Sequence, residues 1–250
     1  MSGAALLPRF WHRALRARFR DQRAEIRALA AAIRQGEAAV DAGAHKGAYL
    51  PWLSRAAGPE GRVVAFEPQA DLANYLERVC RAASLTNVRV EAAGVSDAAG
   101  SRRLRVPGGG GPSPGASFEA GVASDGPGRD VEARVVALDA YLAAEPRRLA
   151  ALKVDVEGHE LAVFRGARGR IEKDAPLVVF ESEARHAGVE GVAAALSFFA
   201  ERGYEGWFVR RGRLEPVAGF DPAVHQRRGP GRFWGAKDYC NNFVMRKAGG

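Results

Sequence analysis

Short apolar runs and helix-period stripes alternate along most of this chain. Leu15, Phe19, Ile26, Leu29 and Ile33 recur at helical spacing, which predicts a helix over 12–35 that Gly36 can stop. Residues 39–42 read as a short buried strand ending in a glycine turn, and 47–57 as a helix that tolerates Pro51 in its first turn. A second buried strand is predicted over Arg62–Phe66, followed by a helix with Leu72, Tyr75, Leu76, Val79 and Cys80 on one face. Strands are predicted again over 88–93, 152–156 and 176–181. Leu161, Phe164, Ala167 and Ile171 form one further helical face, and 192–202 another. The last strand-like segments, 206–210 and 242–246, have no helical stripe between them, so they should close the sheet as an antiparallel edge hairpin.

Strands alternating with helices predict an α/β fold, a mostly parallel sheet with helices on both faces. The organisation this suggests is a basic helical extension over 1–37 and one domain over 38–250. Two segments break the rhythm. Residues 107–128 hold 8 Gly, 4 Pro and 3 Ser in 22 positions and should form a loop. Residues 221–239 read as a second loop, basic and aromatic, with Arg227, Arg228, Arg232, Phe233 and Trp234. Loops of this length inside a domain often cover a site.

Composition mainly excludes. A chain of 250 residues that is 47% hydrophobic and 26% charged is neither disordered nor a fibrous repeat. Its longest apolar stretches, 177–180 and 192–200, fall short of the ~20 residues of a membrane-spanning helix. Cys80 and Cys240 lie far apart without a CxxC, which argues against a disulfide scaffold or a zinc site and makes a reducing cytoplasm the expected location. Charge is uneven. Residues 1–34 carry eight Arg against Asp21 and Glu25, residues 205–250 carry nine Lys and Arg against four acids, and the middle is net acidic. Basic arms around an acidic centre suit anionic partners outside and a cationic or polar ligand inside. Leu7, Trp11, Leu15 and Phe19, spaced by four among arginines, suit a helix that contacts a membrane surface or a second copy of the chain.

The candidate chemistry sits at predicted strand ends. Asp41-Ala-Gly43-Ala44-His45-Lys-Gly47 is a strand-to-helix turn, where glycine lets the backbone bend and approach a ligand. Glu67-Pro68 ends the second strand, 20 residues beyond Gly47, placed to accept both hydroxyls of a ribose. The pair points to an adenosine-type ligand. Asp41 can face an ammonium or sulfonium, and Ala44 and His45 stand where a pyrophosphate-binding turn wants its second glycine, so S-adenosylmethionine is favoured over NAD. Asp155, Glu157 and Glu160 crowd the end of the fourth strand, where a cation would offset their repulsion. Asp155 and His159 are the candidate bases, and Asp155 with Glu157 could alternatively hold a divalent cation.

Together with Gly94-Val95-Ser96-Asp97, Leu138-Asp-Ala-Tyr-Leu142, Lys153-Val-Asp-Val-Glu-Gly-His-Glu160, Phe164-Arg-Gly-Ala167 and Asn242-Phe243, these segments resemble the FkbM family of class I S-adenosylmethionine-dependent methyltransferases. The resemblance runs in order over about 38–246. It implies a Rossmann-like, seven-stranded sheet and O-methylation of hydroxyls on sugars, glycans or polyketide-type molecules. Asp41, Gly43, Ala44, His45 and Gly47 would hold the amino-acid end of the donor, Glu67 and Pro68 its ribose, and Gly94, Val95 and Ser96 its adenine. The chain departs from the family at His45, often Asn there, and at His159, often aromatic. Three rivals stand beside this reading. An RNA methyltransferase would use the basic arms, but the N/D-P-P-Y/F segment is missing and no nucleic-acid partner is expected. The others are a nicotinamide oxidoreductase and a non-catalytic nucleoside binder.

Overall fold

The computed structural model describes residues 3–119, 127–229, 231, 233–236 and 238–249. The chain opens with helix α1 (Leu7–Arg16), a π-helical turn over Ala17–Asp21, and helix α2 (Arg23–Ala32). The single helix expected over 12–35 is thus broken at Gln22 (φ −131°, ψ 39°), whose N–H reaches back to the Ala17 carbonyl at 2.8 Å. The wider turn adds a residue and rotates the following face, so that Phe10, Ala14 and Ala17 of the first part and Ile26 and Leu29 of the second are all buried. Trp11, Leu15 and Phe19 stay exposed.

Strand β1 (Ala38–Ala42), helix α3 (Leu50–Ala57), strand β2 (Arg62–Phe66), helix α4 (Ala70–Ala82) and strand β3 (Val88–Glu91) follow as two right-sized βαβ steps. Strand β4 (Gly94–Val95) leads into a hairpin of β5 (Gly100–Pro107) and β6 (Gly128–Val136), then a short helix α5 (Leu138–Tyr141). Strand β7 (Leu149–Val154), helices α6 (Glu160–Gly166) and α7 (Arg168–Asp174), strand β8 (Leu177–Glu181) and helix α8 (Ala184–Ala200) complete the parallel part. The chain closes with β9 (Tyr204–Arg210), β10 (Arg213–Pro216), a short helix α9 (Pro222–His225) and β11 (Asn242–Lys247).

Among the described residues the main sheet has eight strands in the order β10-β9-β11-β8-β7-β1-β2-β3, and β4-β6-β5 form a separate small sheet. The α/β fold with helices on both faces is as expected; the count of seven strands is not. The extra strand is β10, which folds back on β9 through Arg211 (φ 51°) and Gly212 (φ 72°). Two successive left-handed residues make the turn whose twist matches a hairpin. The antiparallel ending also differs in detail: β11 inserts between β8 and β9, antiparallel to both, so the edge hairpin is β9–β10. The β5–β6 hairpin lies outside every expected strand. It alternates buried Leu104, Val106, Ala133 and Val135 with polar residues and carries its own small core.

Each sheet face has its own core. One gathers Val40, Leu152, Phe164, Phe180, Phe199 and Phe243 under α5–α8. The other gathers Phe10, Ile26, Leu29, Leu50, Leu53 and Leu76 against Ala39, Val63 and Ala151. Phe10, Ile26 and Leu29 are each 0% exposed, and burying each side chain stabilises by about 1.5–3 kcal/mol. No helix among the described residues is long and apolar enough to cross a membrane.

Candidate functional site

Beyond the carboxyl ends of β1, β2 and β7 lies a pocket of about 90 Å³, lined by Gly43, His45, Glu67, Pro68, Gly94, Val95 and Asp155 among others. Open parallel sheets place ligands at this end. The floor is the turn after β1. Gly43 has φ 79°, and a Cβ there would lie 1.8 Å from the Asp155 carbonyl oxygen, so only glycine lets the ends of β1 and β7 approach this closely. Gly43 N and Ala44 N donate to the Phe66 carbonyl at 3.0 and 2.9 Å, which ties the turn to the end of β2.

Glu67 is the centre of the wall. It is 3% exposed, and each carboxylate oxygen accepts one backbone N–H: Oε2 from His45 at 2.8 Å and Oε1 from Gln69 at 2.9 Å. A carboxylate offers about four lone-pair sites, so acceptor capacity remains beyond these two backbone donors. Burial pushes its pKa up to about 7 against the pull of those two donors, of Lys153 and of the Gln69 side chain. His45 adopts φ 47° and its Nε2 is buried without a partner; burial, then Lys46, push its imidazole down to about 4, so it is neutral. A left-handed non-glycine residue carrying an orphaned ring nitrogen at a pocket wall marks stored strain of the kind found at ligand sites.

Several expected residues are brought to the pocket and others are not. Asp41 is 0% exposed and faces the α1–α3 side of the sheet, where Lys153 Nζ lies 3.0 Å from its Oδ1. The same ammonium donates to the Gly43 carbonyl at 2.7 Å and sits 3.6 Å from Asp155 Oδ2. The cation that Asp41 faces is therefore Lys153. Gly47 packs on Leu76, Leu50 and Phe10, Ala44 is buried in the same core, and Ser96 is 0% exposed. His159 is enclosed: Nε2 lies 2.9 Å from Ser96 Oγ, Nδ1 lies 2.5 Å from Glu119 Oε1, and Phe118 packs beside the ring. With both nitrogens engaged and the side chain 1% exposed, it cannot reach a substrate in this arrangement. Asp155, with its side chain 30% exposed, lines the pocket and is more open than Glu67 and Glu157, which line it too.

Glu160 turns inward, accepting from Gly158 N at 2.8 Å, and burial raises it to about 8. Glu157 pairs with His186 at 3.0 Å. Among the described residues no three His, Cys, Asp or Glu side chains are grouped to hold a metal ion. The rim contains groups that sequence reasoning missed. At the end of β8, Asn241 Nδ2 donates to Glu181 Oε1 at 2.8 Å and to Glu183 Oε1 at 3.0 Å, while Tyr239 and Arg185 also bind Glu183. Glu181 and Glu183 follow an apolar strand as Asp155 does, and that position was the available signal. The loop after β5 contributes a cover: Gln69 exchanges two hydrogen bonds of 2.9 Å with the Ser113 backbone, Ser117 Oγ donates to the Glu157 carbonyl at 2.6 Å, and Phe118 lies on Gly94.

The buried carboxyls make stability depend on pH. Burial raises Glu25 and Glu67 to about 7 and Glu160 to about 8, above the ordinary 4.5 that they regain on unfolding. The folded state then binds more protons, so its stability is full below 4.5 and is lost as pH rises through 7–8. His45, lowered to about 4, acts in the opposite sense only below 6.5. Thermal unfolding is therefore expected at falling midpoints as pH is raised from about 6.5 to about 8.5. A midpoint rising over that interval in a calorimetric scan would contradict these assignments.

A family model for the methyltransferase FkbM domain matches residues 41–205. The chain belongs to the FkbM methyltransferase family. Among solved structures, an FkbM methyltransferase from Methylobacillus flagellatus is 17% identical, with a TM-score of 0.51 over 96% of this chain. This chain spans only 59% of that protein's length. A Clostridium thermocellum protein proposed to be an rRNA methylase gives a TM-score of 0.52 at 10% identity, covering 90% of this chain and 94% of its own. A Klebsiella pneumoniae protein proposed to be an O-methyltransferase gives 0.51 at 11% identity, covering 97% and 90%. No curated protein matches this chain in sequence. Likenesses at 10–17% identity show a shared fold alone, and fold does not select an acceptor.

The site's residues fit the donor this family implies. Glu67 keeps acceptor capacity for ribose hydroxyls beyond its two backbone donors, and the unpartnered His45 Nε2 can take a polar group. The pocket is nevertheless small beside the roughly 300–1,000 Å³ of ligand sites. Ser113, Pro114, Ala116 and Phe118 of the cover fill the rest, so a nucleoside-sized ligand needs that loop displaced.

Proposed function

We propose that this chain is an S-adenosylmethionine-dependent O-methyltransferase whose acceptor is a hydroxyl of a sugar, glycan or polyketide-type small molecule. The observation that carries the reading is Glu67, a buried carboxylate at the end of β2 that accepts two backbone N–H groups, keeps acceptor capacity beyond them and lines one pocket with Asp155. When bound, S-adenosylmethionine supplies an electrophilic methyl group on a sulfonium. The chain's own part is to hold the acceptor in line, exclude water and take a proton. Asp155 is the group placed to take it, because Glu157 is paired with His186 and His159 is closed off. Lys153 positions Asp155 from behind.

Calorimetric titration of S-adenosylmethionine, its demethylated product and NADH tests the reading. Micromolar binding of the first two is expected, and Glu67→Gln should weaken both by roughly ten- to a hundredfold, the worth of hydrogen bonds to a charged acceptor. Donor affinity should also fall as pH drops below about 7, where the carboxyl of Glu67 protonates, and that dependence should vanish in the variant. Binding of NADH alone would make this an oxidoreductase.

A further inference from the structure

A second and larger cavity, about 750 Å³, opens between α1 and the mouth of the sheet. Its walls are Arg9, His12, Arg13 and Arg16 of α1, Asp21 and Gln22 of the break, Ala48 just past the glycine turn, and Asn242 at the start of β11. Positions 9, 12, 13 and 16 share one helix face. Asp21 is the single acid of this lining and is already paired with Arg16 at 2.6 Å, while Arg9 has no acidic partner among the described residues. Two hydrogen bonds lead from the cavity's lining toward the end of the sheet that carries the donor pocket. Arg13 donates to the Lys46 carbonyl at 3.3 Å, next to His45, and Asn242 is joined by a 2.9 Å hydrogen bond to Asn241, which holds the rim carboxylates Glu181 and Glu183.

We infer that this cavity binds a phosphate or diphosphate group carried by the acceptor, so that the substrate is a phosphorylated or nucleotide-linked sugar held by Arg9, His12, Arg13 and Arg16 with its hydroxyl directed to Asp155. The inference rests on the methyltransferase reading above. Guanidinium forks match phosphate oxygens two at a time, and a doubly charged phosphate takes more than one of them, whereas a single carboxylate is satisfied by one. The opposite charge of the two cavities gives the acceptor a direction. Its anionic end is repelled by Asp155, the charge that stands for a group in which burial and crowding push Glu157 and Glu181 toward their protonated forms, and is drawn to α1, which leaves the neutral hydroxyl end at Asp155. The positive charge of Arg13 and Lys46 also helps to hold His45 neutral.

The test is binding of inorganic pyrophosphate, and of glucose 1-phosphate against glucose, to the full chain and to Arg9→Gln/Arg13→Gln. Circular dichroism and S-adenosylmethionine titration are run on the same samples. Pyrophosphate and glucose 1-phosphate should bind the native chain, weaken with salt, and lose at least about tenfold in affinity in the double variant, with donor affinity within about twofold. Because Arg13 also contacts Tyr75, Arg9→Gln/Arg16→Gln is the second variant and should show the same loss. Equal binding by native and variant chains, or no binding of either phosphate at millimolar concentration, would overturn the inference. So would an RNA oligonucleotide that binds far more tightly than pyrophosphate and is lost in the same variants. Donor binding without phosphate binding removes this inference alone; absence of donor binding removes the methyltransferase reading beneath it.

Discussion

Replacing Asp155 by Asn should lower turnover by about 100- to 10,000-fold, the usual worth of a positioned general base, while donor affinity stays within about threefold. Asn keeps the shape of the side chain that lines the pocket and leaves the backbone link of Asp155 N to the Ala42 carbonyl at 3.0 Å in place. Only the proton acceptor is removed. In the proposed reaction the hydroxyl proton has to leave as the new O–CH3 bond forms and the bond to sulfur breaks, and Asp155 is the base we assign to it. An acceptor hydroxyl of lower pKa needs the base less, so the loss should shrink with a phenol in place of a sugar alcohol. A uniform loss on both acceptors would instead mark Asp155 as a positioning residue, and unchanged turnover would remove it from the reaction.

The parts of this molecule that could be read without coordinates are those where a short apolar run is followed by a turn. Buried parallel strands such as Arg62–Phe66 and Leu177–Glu181 present nearly unbroken apolar sequence, and the residue after each run must lie at the mouth of the sheet. That is why Gly43, Glu67 and Asp155 are legible in the sequence as residues of this pocket. The β5–β6 hairpin is not legible because its strands bury only two and three small or medium side chains among arginines and acids. Strand β10 depends on two left-handed residues at Arg211 and Gly212, of which only the glycine signals a turn. The break at Gln22 rests on a wider helical turn that has no residue signature here. His159 reads as a mouth residue from its place after β7, yet a loop more than thirty residues earlier, through Glu119 and Phe118, closes over it.

Lys153 shows the limit most clearly, and it carries the second large effect. Asp41 and Lys153 are register partners on the adjacent strands β1 and β7, so their side chains leave the same face side by side. No one-dimensional pattern contains that pairing. Burial acts to lower the pKa of Lys153, but Asp41 and Asp155 outweigh it and hold the ammonium charged. Lys153→Met removes the charge and strands a fully buried carboxylate at Asp41, which costs about 3–5 kcal/mol when a buried pair loses one partner. In a domain of this size that is a fall of roughly 6–20 °C in the unfolding midpoint. The pair as a whole is a different matter: Asp41→Val/Lys153→Met replaces both charges on an apolar face beside Ala39, Ala151 and Val179, and the double variant should recover most of the lost stability. Turnover should not recover with it, because Asp155 still lacks the ammonium 3.6 Å behind it and Gly43 still lacks the donor to its carbonyl. Scanning calorimetry on the three variants decides the first half and methyl-transfer rates the second. A double variant as unstable as Lys153→Met would mean that the ammonium holds the glycine turn together by itself, and full activity in the stable double variant would detach Lys153 from Asp155.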